Sequence, residues 1–406
     1  MAEQELRKRF PATVRSKTIE YAIRDYVVYA KKLGREVLYL NIGDPVKYGF
    51  DTPQHVKDAL IKAVESGSNF YGDSEGLPEL REAIAQRERK TNSINLGKED
   101  VIVTNGVSEG ISMLMGSLVE AGDEILVPGP SYPPYISYIK FFGGVPIEYR
   151  SDEESGWQPD TKDLKMKITP KTKAIVVINP NNPTGAVYGE KVLREIVSIA
   201  LENHLLIISD EIYDEITYEK GGRSISSVSG EAPVVVLNGF SKSSLMTGWR
   251  LGYLYFKASD GSLDELKETV AKQSRIRLCA NTPAQIAALA ALQGPRDHVS
   301  RLVQELKERR DYSLKRISEI DGLSSQKPQG AFYLFPRVND LEKTWKDDAQ
   351  FVLDFLRTES VLLVPGSGFG GAYGSGHFRV VILPPIKTLQ IGFDRLGDFM
   401  AKRRKQ

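Results

Sequence analysis

The chain has 406 residues, more than one hydrophobic core usually supports, and 41% of them are hydrophobic, so a globular protein of two domains is expected. Lys and Arg number 54 against 53 Asp and Glu, a net charge of +1 that leaves no basic surplus for a nucleic-acid surface. The single cysteine excludes an intrachain disulfide and fits a reducing compartment, and no apolar run reaches membrane length; a cytoplasmic protein with no membrane or nucleic-acid partner is expected.

Taken in order, residues 18–33 predict a helix with an aromatic seam at Tyr21, Tyr26 and Tyr29, leading to a short strand at 36–41. Ile42-Gly43-Asp44-Pro45 then breaks structure. Helical spacing follows at 55–66 and 77–90, and the polar, glycine-bearing stretch from Asn69 to Gly76 between them reads as a loop. From Val101 strands and helices alternate, with strands at 101–104, 124–127, 145–149, 174–179, 205–210, 234–239 and 251–256 and helices at 109–120, 134–142 and 190–203. Strands that are apolar throughout and separated by helices predict an α/β protein with a mostly parallel seven-stranded sheet covered on both faces. A long helix at 296–319 leads into a differently patterned region, with strands near 331–335, 361–364 and 378–382 and helices at 346–357 and from about 389. The expected division is a large domain of residues 45–290 and a smaller α+β domain of 1–44 and 291–406.

Open parallel sheets bind ligands beyond the carboxyl ends of their strands, and four such ends carry unusual residues. Lys242 follows the apolar run from Val234 to Phe240. An ammonium at the lip of a buried sheet is partly desolvated, which frees its amine as nucleophile or base, and Arg250 offers a donor fork suited to a phosphate. Asn105-Gly106-Val107-Ser108 joins a strand to a helix start, an anion site by its backbone or a plain cap by Ser108. Asn182 sits in a loop stiffened by Pro180 and Pro183, as a fixed amide donor or simply part of a turn. Asp210 emerges from an apolar strand, where a carboxylate is costly unless paired; it fits a protonated ring nitrogen or a helix cap, and Tyr213 would lie beside it. Gly366-Ser367-Gly368-Phe369-Gly370-Gly371 has dinucleotide-site spacing, yet more glycine and a strand follow it, so it does not read as such a site. The four histidines show no metal spacing, and no metal is expected.

Asn182-Pro183-Thr184-Gly185, Asp210 with Tyr213, and Ser241-Lys242 with Gly248-Trp249-Arg250, in that order, closely resemble the class I/II pyridoxal-phosphate aminotransferases of fold type I. The resemblance spans nearly the whole chain. Leu40-Asn41-Ile42-Gly43-Asp44-Pro45, Asn105-Gly106-Val107-Ser108-Glu109 and His377-Phe378-Arg379-Val380 bring it nearer to the bacterial and archaeal alanine (glutamate–pyruvate) aminotransferases. It implies pyridoxal 5'-phosphate held covalently by Lys242, with Asp210 keeping the pyridine nitrogen protonated. Tyr213 and Asn182 would bind the phenolic oxygen, and Tyr132 would stack on the ring. Gly106, Val107, Ser108, Ser241 and Arg250 would hold the phosphate, reached also by Tyr71 of a neighbouring subunit in a homodimer. Arg379 would bind the substrate carboxylate, helped by Asn182 and the backbone of Gly43.

The arginine that reads a side-chain carboxylate in aspartate aminotransferases has no clear counterpart in Arg275-Ile276-Arg277-Leu278, which argues against a dicarboxylate-only preference. The expected reaction is transfer of the amino group of L-alanine to 2-oxoglutarate. Tyr21 and Arg24 are candidate contacts for the distal carboxylate, against a core Tyr21 and a solvated Arg24. The alternatives are an aminotransferase for aspartate, aromatic or branched substrates, a β-lyase with the same cofactor, and a non-catalytic effector-binding domain.

Overall fold

Eight strands form the large sheet in the computed structural model, which describes residues 12–19, 23–219 and 222–403. They are β1 (Val101–Thr104), β2 (Glu124–Gly129), β3 (Val145–Asp152), β4 (Gln158–Pro159), β5 (Thr172–Ile178), β6 (Leu206–Asp210), β7 (Val234–Gly239) and β8 (Gly252–Lys257). Their order is β1-β8-β7-β6-β5-β2-β3-β4. The run β7-β6-β5-β2-β3 is parallel, while β8 and the two-residue edge strand β4 are antiparallel to their neighbours. All seven expected strands are present; β4 is the addition, and its proline suits an edge that donates no further ladder bonds.

Successive residues of each central strand enter opposite hydrophobic clusters. Ile175, Val177, Ile207, Val234 and Val236 pack with Leu80, Ile84, Leu193 and Ala288. Val176, Ile178, Ile208, Val235 and Leu237 pack with Ile111, Leu114, Ile139 and Val270. Each such side chain contributes about 1.5–3 kcal/mol by leaving water. Two of the covering helices, Asp264–Arg277 and Thr282–Gln293, were not expected from the sequence. The first buries only Val270, Ala271 and Ser274 along 14 residues, and the second is alanine-rich and buried on several sides, so neither shows a clear apolar period.

A third cluster joins Leu40 to Trp345, Phe351, Phe355, Phe378, Phe393 and Phe399. Here Phe378–Val381 lies between Tyr333–Leu334 and Val364–Pro365 in an antiparallel sheet, and Leu38–Tyr39 pairs in parallel with Val361–Leu362. The Leu40 carbonyl accepts from the Val381 N–H at 2.9 Å. This stitching fixes the chain just before Gly43 and delivers it to the mouth of the large sheet. Among the described residues no helix is long and apolar enough to cross a membrane.

Candidate active site

A cavity of about 1060 Å³ opens beyond the carboxyl ends of β5, β6 and β7 and is closed from the other side by Gly43, Tyr333 and Arg379. Asp210 ends β6 with 2% exposure; its carboxylate accepts from the Tyr135 hydroxyl and the Ile212 N–H, both at 3.2 Å. Burial raises its pKa to about 6, opposed by those hydrogen bonds and by the Lys242 charge. The Lys242 ammonium donates to the Gly43 carbonyl at 2.8 Å and lies 5.8 Å from the Tyr213 ring and 5.5 Å from the Phe332 ring. Burial lowers its pKa to about 8, helped by Arg379 and Arg250 and resisted by Asp44 and Asp210. An amine that loses its proton there serves as nucleophile and base near neutral pH.

On one flank the helix Val107–Leu118 starts directly after β1. Gly106 stands at its cap with φ +81°, so the helix is not capped by Ser108. A Cβ on Gly106 would lie 2.5 Å from Arg250 Nη2; only glycine lets the guanidinium rest on this turn. Val107, Ser108, Ser241 and Arg250 all line the cavity. Helix N–H groups without intrahelical partners beside a guanidinium make a site for a doubly charged anion. Tyr132 lines the wall between this cradle and Asp210, at the start of the helix Pro133–Phe141.

On the opposite flank Arg379 is held at two corners. Its Nη1 donates to Asn182 Oδ1 at 2.8 Å and its Nη2 to the Asn41 carbonyl at 2.7 Å. The rings of Tyr333 and Phe369 lie 4.5 and 4.8 Å from the guanidinium carbon. Asn182 belongs to a turn fixed by Asn181, whose side-chain oxygen accepts from the Thr184 N–H and hydroxyl at 3.2 and 2.8 Å. The Tyr213 hydroxyl meets that of Tyr333 at 2.6 Å.

Lys242, Asp210, Tyr213, Asn182, Arg379, Gly43, Tyr132 and the cradle residues thus converge on one cavity. Arg24 lines its outer edge; Tyr21 lies outside the described residues. Tyr71 stands away from this chain's cavity, 78% exposed. Arg275 pairs with Glu75 and Glu268, and Arg277 with Glu109 at 2.6 Å, so neither guanidinium faces the cavity.

Sequence reasoning missed Tyr135, Tyr333 and the glycine run. The turn Gly366–Phe369 and the residues to Gly371 form part of the cavity wall, with Ser131 N–H bonded to the Phe369 carbonyl at 2.6 Å. A tyrosine inside a fully apolar strand was the usable signal for Tyr333, because a buried phenol needs a hydrogen-bond partner.

A mostly parallel sheet with a lysine, a buried aspartate and an anion cradle at its strand ends defines a class of group-transfer enzyme, and the sequence profile of that class fits. Residues 35–396 match the family Aminotransferase class I and II, and the chain belongs to it. The alanine aminotransferase of Mycobacterium tuberculosis is 37% identical, covering 100% of this chain and 96% of its own. The glutamate-pyruvate aminotransferase AlaA of Escherichia coli is 38% identical over 94% of this chain and 95% of its own. The solved alanine aminotransferase of Pyrococcus furiosus superposes with a TM-score of 0.95 at 53% identity, over 97% of this chain and all of that one.

Proposed function

We propose that this aminotransferase moves the amino group of L-alanine to 2-oxoglutarate, giving pyruvate and L-glutamate, with pyridoxal 5'-phosphate as cofactor. The observation that carries it is the convergence of Lys242, Asp210, the Gly106–Arg250 cradle and Arg379 on one cavity. These residues fit the cofactor on their own chemistry: an amine for its aldehyde, a buried carboxylate for its ring nitrogen and a side-chain-free turn for its phosphate. When bound, pyridoxal phosphate supplies the aldehyde that captures amines and the ring that withdraws electrons from the substrate's α-carbon.

The chain's own residues do the rest. Arg379 receives the substrate carboxylate on its fork, with Asn182 and Asn41 keeping the fork flat, and the backbone at Gly43 lies against the same group. Lys242 Nζ would serve as the base for the α-proton; its lowered pKa keeps much of it neutral near pH 8. Asp210 would keep a positive charge on the ring nitrogen of the cofactor, and Tyr213 and Asn182 would hold its ring oxygen. Tyr132 would stack on the ring, and Val107, Ser108, Ser241 and Arg250 would hold the phosphate. Arg24, with Tyr21, meets the distal carboxylate of 2-oxoglutarate.

A second copy of the chain completes the site through Tyr71. Support comes from four exposed apolar side chains: Phe70, Tyr71, Ile276 and Leu278. The Phe70 carbonyl accepts from Thr282, and the Ser74 carbonyl from Arg277, which brings the two segments together.

The test is a donor panel, in which cofactor-loaded protein is mixed with single amino acids and loss of its visible absorbance band is followed. Alanine and glutamate should convert it fastest, and preference for aspartate or aromatic donors would overturn the substrate assignment. Lys242→Ala should abolish turnover with the fold kept; more than trace transamination would remove Lys242 as the base.

A further inference from the structure

Two buried phenols share one short hydrogen bond in this cavity. Tyr213 is 4% exposed and Tyr333 2%, and their oxygens lie 2.6 Å apart. Only one proton can lie between two neutral phenols, so one hydroxyl donates and the other keeps its own proton for a different acceptor. The surroundings decide which. The Arg379 guanidinium lies 4.5 Å from the Tyr333 ring centre and favours negative charge there. Burial raises the pKa of both phenols, but for Tyr333 the nearby guanidinium and the bond to Tyr213 pull it back. The more acidic phenol is the better donor. The other charged or titratable groups around Tyr213 are Tyr132, Arg379 and the Lys242 ammonium, and Tyr333 is the one hydrogen-bonded to its hydroxyl.

Tyr333 is also the more firmly placed of the two. Its strand pairs with Phe378–Val381, and its ring packs on Phe332 at 4.9 Å and edge-on to Tyr213 at 5.8 Å. Its hydroxyl occupies the space beside Gly43, where an added Cβ would lie 2.4 Å from the oxygen. The glycine that presents its carbonyl to Lys242 therefore also leaves room for this phenol.

We propose that Tyr333 is a positioning residue, whose hydroxyl donates to Tyr213 and so turns the Tyr213 proton toward the ring oxygen of the cofactor. The inference rests on pyridoxal phosphate occupying the cavity. A donor polarised by a second donor stabilises negative charge on its acceptor more strongly, so the bound cofactor holds its deprotonated form to lower pH.

The experiment is a pH titration of the visible absorbance of cofactor-loaded wild type, Tyr333→Phe, Tyr213→Phe and the double variant, with KM and kcat for alanine alongside. Tyr333→Phe should raise the midpoint by about half a unit to one unit and lower kcat/KM about two- to tenfold. The double variant should titrate like Tyr213→Phe alone, because Tyr333 acts through Tyr213. An unchanged midpoint, two shifts that simply add, or a rise in the alanine KM with no midpoint shift would overturn the inference; the last would mean that Tyr333 serves Arg379 instead. Wild type that takes up no pyridoxal phosphate overturns this inference and the proposed function together. Wild type that loads normally beside a Tyr333→Phe variant with its midpoint removes this inference alone.

Discussion

Glu211 follows Asp210, and burial acts on the two carboxyls to different ends. Asp210 faces the cavity, whereas Glu211 accepts from Ser209 and Ser224 hydroxyls, both at 2.8 Å, in the polar layer behind it. Burial, with Glu88 nearby, raises the Glu211 pKa to about 8. The folded state then keeps a proton that the unfolded chain releases from its ordinary pKa of 4.5 upward, so this group's stabilisation is complete at acid pH and falls as pH rises toward 8. Glu211→Gln keeps the acceptor and replaces the acid proton with an amide. It should flatten the decline by up to about 1.4 kcal/mol per pH unit between about pH 5 and about pH 8, measured by denaturant unfolding. An equal slope in both proteins would place the charge change elsewhere. At the cavity edge, Arg24→Ala should raise the KM for 2-oxoglutarate about tenfold and leave that for alanine nearly alone, since an exposed ion pair is worth about 1 kcal/mol and one to a bound carboxylate somewhat more. Steady-state kinetics with both substrates checks this. Lys242 and Asp210 were legible in the sequence because a charge at the end of an apolar strand is costly. Tyr135 was not, because a tyrosine among apolar neighbours reads as core until its hydroxyl partner is seen, and the same likeness to core hid Tyr333 although its place in an apolar strand was a usable signal.

At the scale of elements, the anion cradle depends on how closely β8 approaches the start of the helix Val107–Leu118. A Cβ on Gly252 would lie 2.7 Å from the Val107 nitrogen and 2.8 Å from the Gly106 carbonyl carbon, both backbone atoms that cannot swing aside. Gly252→Ala should cost about 1–3 kcal/mol and weaken cofactor retention more than it changes the KM for alanine. Thermal unfolding and equilibrium dialysis of pyridoxal phosphate would show it, and a variant as stable and as tightly loaded as wild type would contradict it. Strands and helices with a plain period were read to within a few residues, as with Val101–Thr104 and Val234–Gly239. The helices Asp264–Arg277 and Thr282–Gln293 escaped because one has too few apolar residues and the other too many. No helix follows the glycine run: Gly366–Phe369 forms a short 3-10 turn, and the strand Phe378–Val381 comes next. Its place on the cavity wall came from tertiary contacts: a Cβ on Gly370 would lie 2.5 Å from Glu148 Oε2, and the Phe369 ring lies against Arg379.

For the molecule as a whole, Ile276, 84% exposed, is where a second copy is proposed to sit. The protein should sediment at about twice 45.2 kDa. Ile276→Asp should drive it toward the monomer with loss of activity, because burying a carboxylate at such a contact costs several kcal/mol. Tyr71→Phe should leave the assembly intact and loosen cofactor binding about tenfold or more, as loss of one hydrogen bond to a charged group implies. A wild-type monomer with full activity would refute both. A change of pattern after the long helix Asp297–Ser318 was readable in the sequence. The way the two regions interlock was not, because it depends on Leu38–Tyr39 pairing with Val361–Leu362, a contact across most of the sequence.

That long-range clasp sets the order in which the protein can come to life during translation. Lys242 leaves the ribosome well before Arg379, and the carbonyls of Asn41 and Gly43 stay unanchored until Val361–Leu362 and Phe378–Val381 have been made. A nascent chain that has reached only its eighth sheet strand thus carries the Lys242 amine without the Arg379 guanidinium. The far wall of the cavity is completed late, with the segment that begins at Val361.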